Sequence, residues 1–159
     1  LWTGARHMSG ARLYACPDLR PVRISAGAFG IDRPDDALLV SPEHRLLVKG
    51  PVAQALFNTP EALARARDLI NGTSIRQDLR LREVTYVHLL LDSHQVIWAN
   101  GVETESFHPA HAALSALSED DRERLVSGMP DLQHDPMAYG DFARRNLTKP
   151  EAAIMMHAA

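Results

Sequence analysis

Ser41 and His44 stand three residues apart in the run Val40-Ser41-Pro42-Glu43-His44-Arg45-Leu46-Leu47-Val48, with apolar, strand-like sequence on both sides. That spacing lets one stretch of backbone deliver a hydrogen-bonding hydroxyl and a titratable imidazole to the same peptide bond. An imidazole placed in this way can transfer a proton to or from an amide. The residues alone leave a second reading open, in which His44 ends a turn and Ser41, before Pro42, is a turn former.

Further titratable groups follow downstream. Tyr86 and His88 alternate along an apolar, β-branched run, so both face one side of a strand. There His88 reads as a hydrogen-bonded core histidine. His94 follows Asp92 and Ser93 at what looks like a hairpin tip and reads as a solvated turn histidine. His108 and His111 have metal-like spacing on a helical turn. With no third ligand nearby in the sequence, they read as a solvated pair, and no metal or cofactor is expected.

Composition bounds the remaining choices. The 159 residues can bury a real core, and the 45% apolar content argues against general disorder. A formal charge of −3 argues against a nucleic-acid binder, which needs a basic face. No stretch reaches the roughly 20 apolar residues of a membrane span. Cys16, the single cysteine, can form neither an internal disulfide nor a thiolate zinc site, and it reads as a small buried apolar residue.

The elements that must position these groups are mainly β. Residues 1–26 read as extended, with Leu19 to Ile24 alternating, and Gly27 to Asp36 as loop. Ala37 to Val40 and Arg45 to Val48 are short apolar strands. Thr59-Pro60-Glu61 reads as the start of a helix, with Thr59 as N-cap and Asn71-Gly72 as its stop, which makes Arg65 and Arg67 a solvated helix face. Val84 to Asp92 reads as a strand turned at Asp92-Ser93, with Gln95 to Val102 as its hairpin partner, and Tyr86 and Trp98 pack in the core or across strands. After Phe107 the pattern becomes helical: a short helix over Ala110 to Leu117, then one capped by Ser118, stopped by Gly128 and Pro130 and followed by a weakly patterned tail. The expected division is a β domain over residues 1–107 and a helical extension over 108–159.

Four ordered blocks carry a resemblance. Leu39-Val40-Ser41-Pro42-Glu43-His44-Arg45, Asn71-Gly72, Tyr86-Val87-His88 and Glu105-Ser106-Phe107, together with His94 and Asn100-Gly101, are similar to the Hint domain of Hedgehog proteins and inteins. The similarity is greatest to the bacterial Hedgehog/intein-type branch, found in large and often secreted proteins. It implies a Hint-type β fold with a C-terminal helical appendage. The start at Leu1-Trp2-Thr3-Gly4 resembles the end of the first Hint block, so an N-terminal truncation is expected, with the family's cysteine or serine nucleophile upstream. A β fold that lacks its first strands exposes unpaired edges that invite association.

The resemblance also implies roles. A thiol attacks the preceding carbonyl, His44 gives a proton to the leaving nitrogen, and Ser41 orients the scissile amide or donates to the oxyanion. His94 and His88 occupy family site positions. The partner is then the polypeptide's own N-terminal flank, cleaved in cis through a thioester, and the setting a secreted or cell-surface bacterial protein. Two departures limit the likeness. Val87 occupies the position of a family aspartate. Glu105-Ser106 stands where inteins finish with His-Asn, so no side-chain amide is present to cyclise and complete splicing. These departures motivate a competing reading as a non-catalytic β interaction module, and the scattered histidines a third as a metal-dependent hydrolase.

Overall fold

A computed structural model describes residues 1–111 and 114–158. In chain order the elements are β1 (Trp2–Met8), α1 (Gly10–Ala15), β2 (Val22–Ile24), β3 (Leu38–Val40), β4 (Arg45–Lys49), α2 (Pro51–Phe57), β5 (Glu61–Arg65), β6 (Ile75–Gln77), β7 (Val84–Leu90), β8 (Val96–Ala99), β9 (Val102–Glu105), α3 (Glu119–Gly128), β10 (Arg145–Asn146) and α4 (Lys149–Ala158). The strands form three sheets: the ribbon β1-β7, the sheet β3-β2-β6, and a five-stranded sheet ordered β10-β5-β4-β9-β8. The protein is therefore mainly β with a C-terminal helix.

One core joins the two larger sheets. Val22, Ile24, Val40, Leu46, Ala62, Ala64, Ile75 and Val102 meet Leu147, Ala152 and Met155 from the C-terminal segment. A second cluster of Leu90, Phe107, Leu117, Leu125, Leu132 and Tyr139 lies under the β1-β7 ribbon, with Trp2 against it. Removing this much apolar surface from water is the main favourable contribution to the fold.

Local chemistry explains most of the boundaries. Ser9 caps α1 by accepting the Arg12 N–H at 3.4 Å, so residues 10–15 are helical where extended chain is expected. Pro51 opens α2, and Asn58 closes it in the left-handed region at φ 53°. Ser118 accepts the Asp121 N–H at 3.2 Å, as the sequence predicts, and three acidic residues fill the first turn of α3. The expected helix over Ala110 to Leu117 lies partly outside the described residues; Leu114–Ala116 is a single 3-10 turn.

Two expectations are corrected. The stretch after Thr59-Pro60 is the strand β5, not a helix. Thr59 donates its hydroxyl to the Glu61 carbonyl at 3.0 Å rather than capping, and Ala62, Leu63 and Ala64 are fully buried between neighbouring strands. Sheet packing overrides helix propensity here. Asn71 instead organises a turn, its side-chain oxygen accepting the N–H groups of Thr73 and Ile75, both at 3.0 Å.

The second correction is the partner of β7, which pairs antiparallel with β1, from Trp2 opposite Leu90 to Met8 opposite Val84. The hairpin is β8-β9, closed by Asn100 and Gly101 at φ 49° and 76°. Asn-Gly suits the two-residue turn whose twist matches antiparallel strands. Trp98 faces outward, 65% exposed, and Cys16 is exposed at the end of α1, so neither is a core residue.

Candidate functional site

The turn Ser41–His44 joins β3 to β4 and thereby links two sheets. Ser41 Oγ accepts the His44 N–H at 3.2 Å, so the serine stabilises the turn that presents the imidazole. β9 lies beside β4, with Thr104 opposite Leu46, and brings Thr104, Glu105 and Ser106 against His44. β7 supplies Tyr86 and His88. These residues line a cleft of about 350 Å³ whose walls include Leu38, Leu39 and Val87. Of the four residues singled out in the sequence, Ser41, His44 and His88 line this cleft and His94 does not.

The hydrogen bonds fix the protonation pattern. Thr104 donates its hydroxyl proton to the Arg45 carbonyl at 2.9 Å. His44 Nε2 also bonds Thr104 Oγ1, and a hydroxyl whose proton is spent can only accept. His44 Nε2 therefore carries a proton, and Nδ1, with no partner among the described residues, remains for chemistry. Burial lowers the His44 pKa; Glu105 opposes this, while Arg45, His111 and His94 add to it. The imidazole is thus neutral at pH 7. Tyr86 donates its hydroxyl to the Leu19 carbonyl at 2.6 Å, and His88 packs on Phe107 with ring centroids 4.9 Å apart; both hold the cleft wall.

Behind His44 lies a cluster that the sequence did not reveal. Glu105 is buried, and its Oε1 accepts the Arg45 N–H at 2.9 Å. Its Oε2 meets His111 Nδ1 at 2.6 Å and His94 Nε2 at 3.3 Å. Burial works to raise the Glu105 pKa, but the hydrogen bonds from His111 and His94 and the proximity of His44 outweigh it, and the carboxyl is held well below the usual carboxylate range. His94 and His108 are 4% and 1% exposed, and the His111 side chain only 7%, which corrects the expectation of solvated histidines. They are buried because Phe142 from the C-terminal segment packs on all three rings, stacked with His111 at 4.3 Å. A segment so distant in sequence gives no local signal of this.

The donor atoms of His94, Glu105 and His111 lie within 4.8 Å of one another, and their types suit zinc. The proton positions argue against that use. His94 Nδ1 accepts the Ala143 N–H at 3.0 Å, so its proton sits on Nε2, the atom that would have to ligate. Nε2 donates instead to the Ser106 carbonyl at 3.1 Å and towards Glu105. The trio forms a hydrogen-bonded carboxylate-imidazole network.

Arg65 and Arg67, expected on a solvated helix, instead pair with Glu43 in the Ser41–His44 turn, and Arg65 also with Asp68 at 2.7 Å. They brace the turn from outside.

Compared with known proteins, residues 1–111 match a family model described as a Hint domain. No curated protein and no solved structure matches the chain.

Proposed function

The chain belongs to the Hint domain family, whose members are self-processing modules, and from that premise we propose that it promotes cleavage of a peptide bond in its own polypeptide through a thioester. The observation that carries the proposal is the locked orientation of His44, with Nε2–H bound to Thr104 and Nδ1 left without a partner in the cleft.

A neutral imidazole can serve twice. A thiol from a flanking segment of the same polypeptide gives its proton to His44 Nδ1 as sulfur attacks the preceding carbonyl. The carbon–sulfur bond forms, the carbon–nitrogen bond breaks, and the imidazolium passes the same proton to the leaving nitrogen. Proton transfer of this kind is worth about 10²–10⁴-fold. The Ser41 hydroxyl proton has no acceptor among the described residues and can be donated to the oxyanion. Water or another nucleophile then resolves the thioester. With Ser106 at the place of the intein asparagine, the reaction ends at cleavage and full splicing does not follow.

The test is a chain carrying its natural upstream sequence. Self-cleavage is read on gels and by mass spectrometry, and hydroxylamine, which intercepts thioesters, accelerates it. His44→Ala abolishes cleavage; cleavage at the parental rate would remove the role assigned to His44. Val87 and the Glu105-Ser106 pair favour the second reading, a β interaction module without chemistry. A parent that stays intact under added thiol and hydroxylamine decides for it.

A further inference from the structure

A general base that becomes an imidazolium inside a protein needs a negative charge nearby, because burial penalises the cation. We propose that Glu105 is a positioning residue that serves as this counter-ion for His44, held ionised by His94 and His111. The inference rests on reading His44 as the reacting imidazole, and it identifies what lets that imidazole accept a proton.

The argument begins with the groups around His44. Arg45 follows it as the first residue of β4. Glu105 approaches from β9, His94 and His111 from the segments flanking that strand, and His88 from β7. Glu43, in the turn itself, is turned outward to Arg65 and Arg67. Of the two carboxylates near the ring, Glu105 alone is buried.

Its charge is secured by three N–H donors and one more distant cation. The Arg45 N–H reaches Oε1 at 2.9 Å and Arg45 Nη1 lies 3.8 Å from the same oxygen. His111 Nδ1 and His94 Nε2 serve Oε2. Both imidazoles have only one orientation of their proton open to them. His94 Nδ1 receives the Ala143 N–H at 3.0 Å, and His111 Nε2 faces Asn146 Nδ2 at 2.8 Å. His111 therefore points its N–H at Glu105, and His94 shares its N–H between the Ser106 carbonyl at 3.1 Å and Glu105 at 3.3 Å. Two neutral donors stabilise a carboxylate without cancelling its charge, so the field at His44 is kept.

The structure also couples Glu105 to His44 mechanically. The Arg45 backbone gives its N–H to Glu105 and its C=O to Thr104, which in turn accepts from His44. One residue, Arg45, thus connects counter-ion, hydroxyl and imidazole through its two flanking peptide groups.

The experiment is NMR titration of the ¹⁵N-histidine-labelled chain, which needs no cleavage. In Glu105→Gln, which keeps the shape and removes the charge, the His44 proton affinity falls by at least about tenfold. In Glu105→Asp it recovers part of that loss. A purely structural glutamate would leave the His44 midpoint unmoved in a well-dispersed Glu105→Gln spectrum, and that result overturns the proposal. Should Glu105→Gln fail to fold, the unaltered protein decides: at pH 7 its ¹⁵N shifts report Nε2–H on His94 and Nδ1–H on His111, with the Glu105 carboxyl ionised. Either opposite tautomer, or a protonated Glu105, overturns it. An unmoved His44 midpoint ends this inference alone, whereas cleavage indifferent to His44 ends the functional reading.

Discussion

Thr104 and His44 are joined by a hydrogen bond whose direction is set elsewhere. Because Thr104 donates to the Arg45 carbonyl at 2.9 Å, it can only accept from His44 Nε2. Thr104 is 2% exposed, so water cannot substitute for it. Thr104→Val keeps the shape and removes both bonds. The expected loss is about 1–3 kcal/mol for the stranded partners, read by urea unfolding. The same variant lets the His44 proton move to Nδ1, which ¹⁵N shifts detect, and slows any cleavage that depends on Nδ1. Thr104→Ser keeps the hydroxyl and stays near the parent in all three measurements.

Acid should destabilise the fold well above the carboxylate range. Burial is the largest cause lowering the pKa of His44, His88, His108 and His111 from the ordinary 6.5. Between their folded values and 6.5 the unfolded chain binds more protons, so stability is fully present above pH 6.5 and falls as pH drops below it. Each extra proton costs about 1.4 kcal/mol per pH unit. Glu105 is also lowered, from 4.5, so its contribution is present above pH 4.5 and is lost below that. Urea midpoints should decline from pH 7 to 5 and fall again below 4.5. A midpoint flat between pH 7.5 and 5 would contradict the buried neutral histidines.

Gly101 tests the hairpin that delivers Thr104 and Glu105. It sits at φ 76°, and a β-carbon there would lie 2.7 Å from the Asp32 carbonyl oxygen. Gly101→Ala meets both backbone strain and a backbone atom that cannot rotate away. It should cost more than about 1 kcal/mol, seen as a lower thermal midpoint. Gly72→Ala, at φ 77° with open space around it, carries the strain alone and should cost less.

The sequence displayed the front of the site and hid its back. Ser41 and His44 were legible because both lie in one turn between apolar runs, whereas the sequence reading runs a strand over Gln95 to Val102 straight through the Asn100-Gly101 turn that closes β8 on β9. The partner of β7 was not legible: β1 lies some eighty residues earlier, and strand pairing at that distance leaves no local pattern. β5 was misread for a related reason. Its alanines and Pro60 satisfy helix rules, and only the pairing of Ala64 with Leu46 and of Leu63 with Leu47 in the sheet decides otherwise. His94, His108 and His111 looked solvated because Phe142, Ala143 and Asn146, which enclose and bond them, come from the distant C-terminal segment.

That segment makes the last prediction. The family match ends at residue 111, and residues 108–159 read in the sequence as an extension. In the structure Arg145 and Asn146 add a parallel strand to β5, and Met155 and Ala152 of α4 enter the same core as Leu46 and Val102. Met155 is 6% exposed, so Met155→Ala should cost about 2–5 kcal/mol, the range for emptying a buried large side chain. The loss should appear as a shift of one unfolding transition, with the near-ultraviolet signal of Trp2 and the far-ultraviolet signal moving together, because α4 and the sheet share their buried surface. An extension that folds apart from the sheets would give two transitions and leave the major one in place. Met155→Leu preserves the volume and should restore most of the loss.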